Sequence, residues 1–98
     1  MKINLFNIFT FLKENKLYAE ARAKIADLLQ AKKEELRGLV EGYLKEKTPE
    51  LKEKMLAFIM NHIELKFPYN LFKGSIKKVI GKNFDKLVEF ILVKLQEI

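Results

Sequence analysis

Apolar residues recur every three to four positions along the whole chain, and no window of four to eight residues alternates cleanly between apolar and polar. A spacing near 3.6 places such residues on one stripe of a helix, whereas a half-buried strand requires a period of two. The pattern therefore specifies an all-α fold. The longest stripe runs through Leu17, Ala21, Ile25, Leu28, Leu29, Leu36, Leu39, Val40 and Tyr43. It predicts a single helix from about Lys16 to Lys47, about 45 Å long at 1.5 Å per residue.

Shorter stripes flank it. Leu5, Ile8, Phe9 and Leu12 predict a first helix that Asn4 caps and that ends near Glu14, because polar Asn15 and Lys16 interrupt the stripe. Thr48-Pro49-Glu50 is the sharpest boundary. Threonine caps a helix, proline fits its first position without losing a bond, and glutamate faces its positive end. The third helix is expected to reach about Leu65 and to bury Leu51, Met55, Phe58, Ile59, His62 and Ile63. Phe67-Pro68-Tyr69-Asn70 reads as a loop, since proline disfavours helical geometry in the residue before it. A short helix over Leu71–Ile80 follows, with Gly81 as its stop and Asn83 as the next cap. The last helix carries Phe84, Leu87, Val88, Ile91, Leu95 and Ile98 on one face.

These elements predict a small bundle of four to five helices over residues 1–98, one helical domain with the long second helix as its spine. A straight 45 Å helix outreaches the third helix, which spans about 25 Å. Covering the excess calls for another helix or a second chain, so a homo-oligomer is slightly favoured. Lys32 falls inside the long stripe, between Leu28 and Leu36. It is expected to mark a seam between two packing regions, with its methylenes laid on the core. Gly38 and Gly42, one turn apart, weaken a helix unless another helix approaches closely there. Close approach is the expectation.

Catalysis finds little to work with. The chain has no cysteine, one serine (Ser75) and one histidine (His62). A thiolate site, a Cys nucleophile and a multi-histidine metal site are all excluded by composition. Glu34 stands three residues from Arg37, and Glu35 and most of the other acids three or four from lysines, the ordinary spacing of helical ion pairs. No glycine-rich phosphate loop is present, and no motif of a known family can be quoted from these residues. We expect no enzyme, no cofactor and no metal. His62 is expected in the core, bonded to a backbone carbonyl.

Charge is more informative. Nineteen basic residues against thirteen acidic ones give a net charge of +6. Lys66, Lys73, Lys77, Lys78, Lys82 and Lys86 face a single acid, Asp85, within Lys66–Lys86. The surplus is local. On a helical wheel, Lys73, Lys77, Lys78 and Lys82 lie opposite Phe72, Ile76, Val79 and Ile80, and Phe67 and Tyr69 precede them. Phe90 and Val93 stand off the main face of the last helix. The leading expectation is a non-catalytic interaction or assembly protein that contacts a protein partner, or itself, through this basic patch and these apolar residues.

An anionic membrane surface bound by the basic amphipathic helix 71–82 is the first alternative. Sequence-nonspecific nucleic-acid binding is the second, and lysine in place of arginine argues against base-specific reading. The N-terminal apolar run lacks the small residues of a cleavable signal, and no stretch approaches the ~20 residues of a membrane span. A cytoplasmic protein, in the alternative peripheral to a membrane, is the expected location.

Overall fold

The computed structural model describes residues 13–97. Among them are four α-helices, one 3-10 turn and no strand. The helices are α1 (Glu14–Glu46), α2 (Pro49–His62), α3 (Lys73–Lys82) and α4 (Phe84–Glu97), and the turn, Tyr69–Phe72, leads into α3. The expected Asn4-capped helix falls almost wholly outside the described residues, and Glu14, its expected end, already belongs to α1. The longest helix is thus the first described element, which corrects the expectation of a long second helix as spine.

α1 is bent. Lys32 has φ −129° and ψ 38°, well outside helical values. No residue between Leu29 and Leu36 is buried, and Lys32, Lys33, Glu34 and Glu35 stand in that gap. A stripe interrupted for nearly two turns leaves this stretch of the helix without an anchor to the core, so the axis can bend there while the arms on either side reach the core.

Two contacts show how far the arms turn toward each other. A straight helix would hold Glu14 and Tyr43 about 43 Å apart. Yet Lys82 Nζ lies 2.8 Å from Glu14 Oε1, and the Phe84 ring meets Tyr43 edge-on with centroids 4.8 Å apart. Lys82 and Phe84 are only two residues apart, so the two ends of α1 lie closer together than a straight helix allows.

All three shorter helices pack against α1, and α2 and α3 also meet each other. Leu17, Ala21 and Ile25 of the first arm and Leu36 and Val40 of the second join Met55, Ile59, Ile76, Ile80, Leu87 and Ile91 in one fully buried cluster. At roughly 1.5–3 kcal/mol for each large apolar side chain removed from water, this cluster supplies the main stabilisation of the fold.

The junctions follow from local chemistry. Lys47 closes α1 in the left-handed region (φ 48°, ψ 42°), and its N–H donates to the Tyr43 carbonyl. Thr48 Oγ1 then accepts from the Leu51 N–H at 3.2 Å, with Pro49 opening α2. α2 stops at His62, three residues before the expected Leu65, because the backbone turns extended at Ile63 while that side chain stays buried.

The Phe67–Pro68 peptide is cis. The segment expected to start a helix at Leu71 forms a 3-10 turn instead, and α3 begins two residues later. α3 runs through Gly81, which does not act as a stop. A Cβ there would sit 3.4 Å from Leu56 Cδ1, so the glycine lies against α2. Asn83 faces backward: its Nδ2 donates to the Val79 carbonyl at 2.9 Å, and its own carbonyl accepts the Leu87 N–H of α4.

Candidate interaction surface

From Leu65 to Phe84 the sequence holds five lysines and no carboxylate. The fold divides them into ion-paired and exposed residues. Buried Ile76, Val79 and Ile80 fix α3 on the core, which turns its lysines to the flanks and the outside. Lys77 reaches across to Glu53 of α2, and Lys82 to Glu14 at the start of α1. Both pairs are solvent-accessible and add little stability. They do remove two of the six expected cations from the pool free to meet a partner.

Lys66, Lys73, Lys78 and Lys86 are exposed, and no carboxylate among the described residues lies within ion-pairing distance of them. Lys86 lies on α4, beside a shallow cleft that Tyr43, Lys52 and Asn83 also line. Inside that cleft the Lys52 ammonium sits 5.4 Å from the centre of the Phe84 ring.

The corner before α3 carries the most exposed apolar groups. Phe67 is 78% exposed and Leu71 65% exposed, while Tyr69 and Phe72 of the same stretch pack partly against the core. The Asn70 N–H donates to the Lys66 carbonyl at 3.2 Å and the Leu71 N–H to the Pro68 carbonyl at 3.1 Å. Leu71 is an exposed apolar residue that sequence reasoning did not single out. Its signal was available, since on the α3 wheel it lies away from Phe72, Ile76, Val79 and Ile80.

The other expected contact residues fare differently. Val93 is 54% exposed on the outer side of α4. Phe90 is half-buried, covered by the Arg22 guanidinium at 5.4 Å and the Lys94 ammonium at 5.8 Å, so it belongs to the packing between α4 and α1. Arg22 also lies 5.7 Å from the Tyr18 ring. Burial raises the Tyr18 hydroxyl pKa above its ordinary 10.0, and the Arg22 charge opposes that rise.

Two expectations need correction. Among the described residues no element approaches Gly38 or Gly42 closely, because a Cβ built on either would meet no atom within 4 Å. They line a shallow trough with Glu41, Leu44 and Lys45. His62 is exposed, not in the core. The early end of α2 places it at the helix terminus, where it stacks on Phe58 with centroids 4.2 Å apart. Its Nδ1 does lie 2.8 Å from the Phe58 carbonyl.

No group of three or more His, Cys, Asp or Glu side chains able to hold a metal occurs among the described residues. None of the described helices is long and apolar enough to cross a membrane. Compared with family models, with curated proteins and with solved structures, the chain matches none.

Proposed function

We propose that the protein is a non-catalytic interaction protein whose contact surface is the positive corner from Lys66 to Lys78, extended by Lys86, and whose partner is polyanionic. The observation that carries this reading is the contrast among its lysines. Lys77 and Lys82 are tied to acids of neighbouring helices, whereas Lys66, Lys73, Lys78 and Lys86 stand in solvent without a carboxylate. A local positive field steers an anionic partner toward this corner and sets an affinity that falls with salt. Lysine holds phosphates or carboxylates as a point charge, without the planar fork that reads bases. We place this activity in the cytoplasm.

Retention on heparin in a salt gradient tests the reading. Lys66→Glu/Lys73→Glu/Lys78→Glu should elute at clearly lower salt than the wild type, while Lys77→Gln should elute close to it. Co-elution of the triple variant with the wild type would refute the assignment.

Self-association through the outer side of α4 is a second reading, supported by exposed Val93. Light scattering that finds a defined oligomer, dissolved by Val93→Glu, supports it. A monodisperse monomer at high concentration overturns it.

A further inference from the structure

We infer that the polyanion is an anionic lipid surface, and that the corner before α3 docks on it with Phe67 and Leu71 entering the interface and Lys66, Lys73 and Lys78 at the phosphates. The inference rests on the proposed polyanion reading and narrows it.

Three observations converge on lipid. Phe67 and Leu71, four residues apart on one tight turn, are the most exposed large apolar side chains among the described residues. A membrane interface accepts protruding apolar groups, whereas a protein partner must offer a matching cavity and a nucleic-acid backbone offers nothing to an aliphatic leucine. The turn also suits a poorly hydrated boundary. Pro68 has no N–H, and the Asn70 and Leu71 N–H groups are bonded within the turn. Few backbone donors would lose water on insertion.

The charges complete the match. Lys66 directly precedes Phe67, Lys73 opens α3 and Lys78 is exposed on its next turn. Carboxylates that could repel the surface are few. Exposed Glu64 lies two residues before Lys66, Glu53 on α2 is held by Lys77, and Glu14, which lines a groove with Lys78, is held by Lys82. Each lysine near an anionic leaflet strengthens binding about fivefold, so three together contribute on the order of a hundredfold.

Flotation of the full chain with vesicles tests the inference, using phosphatidylcholine alone and phosphatidylcholine mixed with phosphatidylserine. The wild type should float with the mixed vesicles and not with the neutral ones. Lys66→Gln/Lys73→Gln/Lys78→Gln should lower partitioning by about a hundredfold. Phe67→Ser/Leu71→Ser should lose vesicle binding at physiological salt yet keep its heparin retention, with an unchanged circular dichroism melt because both side chains are exposed.

A wild type that stays unbound to the anionic vesicles overturns the inference. So does a Phe67→Ser/Leu71→Ser variant that floats like the wild type. Retention on heparin, or binding to a random-sequence duplex, without any vesicle binding defeats the lipid assignment and leaves the polyanion reading standing. Loss of heparin retention in the wild type brings down both.

Discussion

Lys47 is a residue held in a conformation that its side chain disfavours. Its left-handed φ of 48° lets the chain leave α1 and enter the Thr48 cap directly. An L-residue with a Cβ pays about 1 kcal/mol for that geometry, and glycine does not. Lys47→Gly should therefore raise stability by about 0.5–1 kcal/mol, read from the urea midpoint with the slope unchanged. Its bond to the Tyr43 carbonyl is made by the backbone and survives the change. Tyr18 gives a pH signature of known sign. Its raised pKa, caused mainly by burial, means that the folded chain holds this proton more tightly than the unfolded chain does. Stability from this source is complete below the unfolded value near 10 and is lost as pH rises through the folded value. As pH rises above the ordinary value of 10.0, the wild type should lose more stability than Tyr18→Phe in parallel denaturant titrations. Parallel losses would contradict the burial argument.

At the scale of the element, Gly38 and Gly42 are the simplest test of how α1 is used. Both lie inside a helix, and no atom among the described residues would contact an added Cβ. Gly38→Ala and Gly42→Ala should each stabilise the chain by up to about 1 kcal/mol through helix propensity alone. A loss of stability would mean that some other surface approaches that face. The stripes of α1 and α4, the Thr48-Pro49 start of α2 and the apolar face of α3 were legible because each depends on nearby residues. Three features were not. The bend at Lys32 is foreshadowed by its charged neighbours, but its direction depends on the helices that both arms pack against, far along the chain. Gly81 lies inside α3 with Leu56 of α2 beside it, a tertiary placement that local sequence does not reveal. His62 follows the apolar period, yet the extended Ile63 ends the helix there and leaves the imidazole outside.

For the whole molecule, the core admits no independent half. Leu87 of α4 is fully buried in the same cluster as residues from both arms of α1. Leu87→Ala should cost about 2–5 kcal/mol, and helicity and tyrosine fluorescence should be lost in one coincident transition. Separate transitions would show that α4 is held independently. The candidate surface was less legible than the core. Its lysines were visible as a charge cluster, but which of them are neutralised depends on where Glu14 and Glu53 fall after folding. The bend in α1 also bears on how the native state opens. Each arm is about the length at which an isolated helix is marginal in water, so neither persists once its packing is lost. Amide hydrogen exchange should therefore divide α1 at Lys32, with the fastest exchange just after the bend and a separate protection level on each side. A uniform protection profile across Lys32 would mean that the bent helix opens as one unit.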